Sequence, residues 1–139
     1  MEEKLQRIVA ETKEKRLDDI GFNTEDYNSK TDALMGRCKT NSKQLVQRVK
    51  SAGYEARVGA GLIGSDIWVR EENLPDSFEE AVHQRHPIHY WVEVGPYVCE
   101  IASESDSHYG ESIVKKVHPD KLGYITFPDN YQGFEKQDF

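Results

Sequence analysis

His89-Tyr90-Trp91-Val92-Glu93-Val94, then Gly95-Pro96, then Tyr97-Val98-Cys99-Glu100-Ile101 is the stretch on which the fold turns. Two runs rich in β-branched and aromatic residues flank a Gly-Pro pair, which predicts a hairpin with strands over 88–94 and 97–102. Side chains alternate along a strand, so His89, Trp91 and Glu93 share one face. A connection with an even number of residues returns Glu100 to that same face. With a two-residue turn, Trp91 stands opposite Glu100 and His89 is its diagonal neighbour, at a Cβ separation of about 7–8 Å or a little less. Proline is awkward at the second turn position, which favours a longer connection, and an odd number of residues would turn Glu100 away.

On either side of this stretch the chain reads as a succession of helices and strands. Residues 2–20 place Leu5, Ile8, Val9, Leu17 and Ile20 at helical spacing among charges, and Gly21 closes that helix. Its narrow apolar stripe either packs on the domain or binds a partner. Residues 22–31 are polar and turn-rich, without apolar periodicity. A second helix begins near Cys38, because Leu45, Val46 and Val49 recur at helical spacing and Gly53 ends it. Tyr54 to Ile63 reads as a strand, with Ala56, Val58 and Ala60 alternating against Glu55, Arg57 and Gly59. Ile67-Trp68-Val69 is a short strand or a loop anchor. Ser77 and Glu80 make a capping box that opens a short helix, which Pro87 stops. Ile113-Val114 and Leu122 to Phe127 offer further strands, and a polar tail follows Pro128. With no repeat and no low-complexity segment, the expectation is one domain over 1–139: an N-terminal helix over 1–21, a core over 34–102 and a tail over 128–139.

Bulk properties narrow the function classes. A chain of 139 residues has room for one hydrophobic core and not two. Its 18 Lys and Arg against 25 Asp and Glu give a net charge of -7, which disfavours general binding to a phosphate backbone, so nucleic acid is not an expected partner. No apolar stretch is long enough to span a membrane, and Met1-Glu2-Glu3-Lys4 does not read as a signal peptide, so the expected location is cytoplasmic. Two cysteines are not a disulfide framework. Free thiols are the expectation, with a Cys38–Cys99 bridge or redox pair as the alternative.

Three residues carry the candidate chemistry. Cys38 stands at the expected start of a helix beside Arg37 and Lys39, where the helix dipole and positive charge favour the attacking thiolate. The bland alternative is a buried structural thiol, against which its polar neighbours Gly36, Arg37, Lys39, Thr40 and Asn41 speak. His89 is the candidate base. Glu100, flanked by Val98, Cys99, Ile101 and Ala102, is expected half-buried and in need of a partner, and protonatable His89 is the nearest. Trp91 reads as core or as the wall of a substrate pocket. His83, His86 and His89 recur every third residue, but Pro87 breaks the helix that would align them, and no zinc pattern is completed. His108 and His118 stand isolated in polar loops. Gly59, Gly61 and Gly64 lack the spacing and following lysine of a phosphate-binding loop. Neither a metal nor another cofactor is expected.

The stretch from about 34 to 102 resembles the transglutaminase-like group of the papain-like cysteine enzymes. The resemblance rests on Gly36-Arg37-Cys38, then Gly53-Tyr54-Glu55-Ala56-Arg57-Val58-Gly59, then His89-Tyr90-Trp91-Val92-Glu93-Val94, then Tyr97-Val98-Cys99-Glu100-Ile101. It implies an α+β fold with a papain-like/transglutaminase-like core, a Cys-bearing helix packed on an antiparallel β-sheet that carries the histidine and the acid. It also implies acyl transfer on amides, thioesters or related groups without a metal. The acid is Glu100, where that group usually has Asp.

The resulting expectation is a cysteine-dependent acyl-transfer enzyme, a hydrolase of amide or peptide bonds acting on a peptide, protein or small acyl substrate. Cys38 attacks, His89 shuttles the proton, Glu100 fixes the imidazole and the Cys38 backbone N–H is the first oxyanion donor. One alternative is transglutaminase or acyltransferase chemistry with an amine acceptor. The other, from a different class, is a non-enzymatic binding or assembly domain on the same fold.

Overall fold

Among the described residues, five strands form one antiparallel sheet. The computed structural model describes residues 1–63, 76–83, 88–103, 110–116 and 124–127. In chain order the elements are α1 (Glu2–Asp19), α2 (Lys30–Leu34), α3 (Cys38–Ser51), β1 (Arg57–Ile63), α4 (Phe78–His83), β2 (Ile88–Val94), β3 (Tyr97–Glu100), β4 (Ile113–Lys116) and β5 (Tyr124–Thr126). The strand order is β4-β3-β2-β1-β5, so the hairpin strand β2 is central. The architecture is α+β, the class that the resemblance implied. Ile67-Trp68-Val69, His86, Pro87, His108, His118, Leu122 and the tail after Pro128 lie outside the described residues.

The β2–β3 connection is a two-residue turn, with Val94 paired to Tyr97, Glu93 to Val98 and Val92 to Cys99. Gly95 takes φ +57°, and proline holds φ near -65°, so the two central residues carry the signs of a type II′ turn. The expectation of a longer connection is therefore corrected. Proline at the second position obstructs only turns whose first residue is right-handed, and glycine escapes that restriction. The parity that follows is even, and Glu100 returns to the face of His89.

One sheet face builds the core. Val58, Ala60 and Leu62 of β1, Tyr90, Val92 and Val94 of β2, and Cys99 with Ile101 pack with Leu5, Val9 and Leu17 of α1 and Leu45, Val46 and Val49 of α3. The α1 stripe thus packs on its own domain, and α3 carries Cys38 at its first residue. Residues 22–31 contain an element that their polarity concealed: Ser29 caps α2 through Asp32 N–H at 3.0 Å, a local bond that needs no apolar periodicity. The Ser77 cap of α4 is present as expected, its hydroxyl accepting from Glu80 N–H at 3.1 Å. The strand expected over 97–102 stops at Glu100, where Ile101 O turns to accept from the Ser112 hydroxyl at 3.0 Å.

The other face holds Arg57 and Gly59, then His89, Trp91 and Glu93, then Val98 and Glu100, and Ile113. Trp91 is fully buried there over Gly59, its cross-strand partner. A Cβ at Gly59 would lie 2.3 Å from the Trp91 indole nitrogen, so the absence of a side chain is what admits the ring. Among the described residues, no helix is long and apolar enough to cross a membrane.

Candidate functional site

The hairpin brings His89 and Glu100 together. Continued one rung past Val92 and Cys99, the register puts Trp91 opposite Glu100 and His89 on the diagonal, and His89 Nε2 bonds Glu100 Oε1. Both are buried, at 0% and 4% exposure, so each answers the other's desolvated polar atom. The Trp91 ring lies beside the imidazole, with centroids 6.0 Å apart and planes tilted by 33°. Its indole N–H donates to Glu93 Oε1 at 3.1 Å, and Glu93 Oε2 accepts from Arg57 Nε at 2.8 Å. Trp91 is therefore a buried wall against the pair.

Cys38 arrives from the helical side. Its sulfur is 3.9 Å from the carbonyl oxygen of Ile88, the residue joined by its peptide bond to His89. As the first residue of α3, it presents a backbone N–H that has no partner within the helix. Along β2, Ile88 and Tyr90 project toward α3, whereas His89 and Trp91 project from the opposite face. Thiol and imidazole thus stand on opposite faces of the sheet at the first residues of the strand, and the sulfur meets the Ile88 carbonyl rather than the imidazole. Cys38 lines a narrow cleft of about 10 Å³ with Asn41, Ser42, Leu45, Tyr90 and residues Glu100 to Ala102. That is roughly the room one water needs. The Lys39 ammonium lies 5.9 Å from the centre of the Tyr90 ring.

The N-terminal turn of α3 is tied down by groups that sequence reasoning did not single out. Arg16 of α1, 5% exposed, donates from Nε to Asn41 Oδ1 at 2.9 Å. Asn41 donates from Nδ2 to Leu34 O at 3.2 Å, and Arg37 Nε donates to Ala33 O at 3.0 Å. Two carbonyls at the end of α2, left without helical partners, are satisfied this way. Burial lowers the Arg16 pKa from 12.5, nearby Asp19 acts to raise it, and Arg37 lowers it further. A signal did exist in the sequence: Thr12 and Arg16 continue the spacing of Leu5, Ile8 and Val9, so both belonged to the buried stripe.

The second cysteine is of another kind. Cys99 is fully buried on the core face, and burial pushes its thiol up to about 12, with the Glu100 charge adding to the effect. Cys38 and Cys99 are separate free thiols. His83 lies at the end of α4 and His89 is buried in β2, so the two do not share an element. No group of three or more potential metal ligands occurs among the described residues. No family model, no curated protein and no solved structure matches the chain.

Proposed function

We propose that this protein is a cysteine-dependent acyl-transfer enzyme on a papain-like/transglutaminase-like core, hydrolysing amide or peptide bonds of a peptide, protein or small acyl substrate. The observation that carries the reading is the buried bond from His89 to Glu100, formed where the Cys38 sulfur meets the Ile88–His89 peptide. With Nε2 held by the carboxylate, Nδ1 is the nitrogen left to exchange a proton with the thiol, and because the two side chains project from opposite faces of β2, the exchange requires the first residues of that strand to shift on substrate binding. Cys38 sulfur bonds to the carbonyl carbon, and the thiol proton passes to His89. The C–N bond then breaks, its electron pair leaves on nitrogen, and His89 returns the proton there. Water next attacks the thioester while His89 takes its proton, and the thiolate leaves as the acid forms. An amine in place of water would give the transfer reaction instead.

The competing reading, a binding or assembly domain, has an observation of its own. His89 is fully buried and projects from the sheet face opposite α1 and α3, as a purely structural His–Glu pair would. Trapping with an activated ester such as p-nitrophenyl acetate separates the two. The enzyme reading expects one acetyl group on Cys38 by intact mass and peptide mapping, with slow hydrolytic release. His89→Gln, which keeps an N–H toward Glu100, should suppress its formation. Acetylation no faster than that of a small free thiol, indifferent to His89→Gln, would leave the binding-domain reading standing.

A further inference from the structure

The acyl-transfer reading leaves the oxyanion with one donor, the Cys38 backbone N–H, and the structure offers a second. Asn41 lies one helical turn after Cys38 on the same side of α3, and the two line the same cleft. Its amide cannot turn over. Arg16 has only donors, so its bond to Oδ1 fixes which end of the amide is oxygen. The Nδ2 end then carries two N–H bonds. One goes to Leu34 O, and the other has no acceptor among the described residues although Asn41 is only 4% exposed. A buried, orientation-locked N–H on a residue that lines the same cleft as the thiol, with room there for about one oxygen atom, suits the oxyanion of a tetrahedral intermediate. Leu45, Ile101 and Ala102 give the cleft apolar walls, and Ser42, Tyr90 and Glu100 are its other polar members.

We infer that Asn41 Nδ2 is the second oxyanion donor and that Arg16 is the positioning residue that aims it. The inference rests on the acyl-transfer reading of Cys38, and the test keeps the two apart. Acylation by p-nitrophenyl acetate passes through an oxyanion, whereas alkylation by iodoacetamide is a displacement at carbon and forms none. In Asn41→Ala, acylation of Cys38 should fall by about 10²-fold or more while alkylation changes less than threefold. Intact alkylation also reports that the thiol and its surroundings are folded. Should Asn41→Ala not fold, Arg16→Met decides: it frees the amide to turn, and acylation should fall at least about tenfold with alkylation again unchanged. Equal slowing of both reactions, or of neither, would overturn the assignment. A wild-type protein that alkylates normally but is never acylated at Cys38 would instead remove the acyl-transfer reading itself.

Discussion

Gly59→Ala is the perturbation that most sharply tests how the sheet face beneath the site is built. The new Cβ would sit 2.3 Å from Trp91 Nε1, 2.7 Å from Cε2 and 2.8 Å from Glu93 Oε1, against 3.4 Å or more for ordinary contact. The indole must retreat by about 1 Å, yet Trp91 is fully buried and its N–H is committed to Glu93. Overpacking of this kind costs roughly 1–3 kcal/mol. Relief of the glycine entropy penalty offsets about 0.5–1 kcal/mol, and the poor fit at three atoms places the cost in the upper part of its range, leaving a net loss of about 1–2.5 kcal/mol. With a urea dependence of about 2 kcal/mol per molar, the midpoint followed by circular dichroism should fall by roughly 0.5–1.25 M. In a Trp91→Phe background the same glycine substitution should cost little, because the smaller ring leaves the space that the methyl group needs. An unchanged or raised midpoint for Gly59→Ala in the wild-type background would refute the packing argument.

Three further outcomes follow from neighbouring contacts. Removing the Glu100 side chain strands a fully buried imidazole, so Glu100→Ala should destabilise by about 3–5 kcal/mol, whereas Glu100→Gln keeps an acceptor and should cost clearly less; equal losses in urea titrations would contradict that. The Arg57–Glu93 pair is 59% exposed on its arginine side, so Arg57→Ala should change stability by less than about 1 kcal/mol in the same assay, and a larger loss would show a role beyond this pair. Cys99 ionises near 9.0 when unfolded and only near about 12 when folded, so its contribution to stability is complete below the unfolded value and is lost as pH rises between the two. Urea midpoints between pH 8 and 10.5 should therefore fall more steeply for wild type than for Cys99→Ala, by up to about 1.4 kcal/mol per pH unit, and parallel slopes would contradict the burial of the thiol.

What was legible in the sequence follows a physical divide. Apolar spacing revealed α1, α3 and the core-facing residues of β1, because burial imposes its period on any element with one face in the core. The hairpin was legible for a second reason: parity converts the length of one turn into the juxtaposition of His89 and Glu100. The turn itself was harder, since Gly95-Pro96 works only through the positive φ of its glycine. Interactions between distant segments left no periodic trace. The Arg16–Asn41 bond joins residues 25 apart on different helices, and α2, though capped locally by Ser29, is too short to show an apolar period. The meeting of Cys38 with the start of β2 is likewise a matter of how α3 lies on the sheet, which no local pattern encodes.

The proposed chemistry requires the imidazole held by Glu100 to activate the Cys38 thiol. The rate of Cys38 alkylation by iodoacetamide near neutral pH, in wild type and in His89→Gln, measures this directly. A small model thiol is the proper reference, because Cys99 is buried and would be slow in any case. The account predicts alkylation at least about tenfold faster than that reference in wild type, with the advantage gone in a folded His89→Gln variant. Equal rates with and without the imidazole would contradict it.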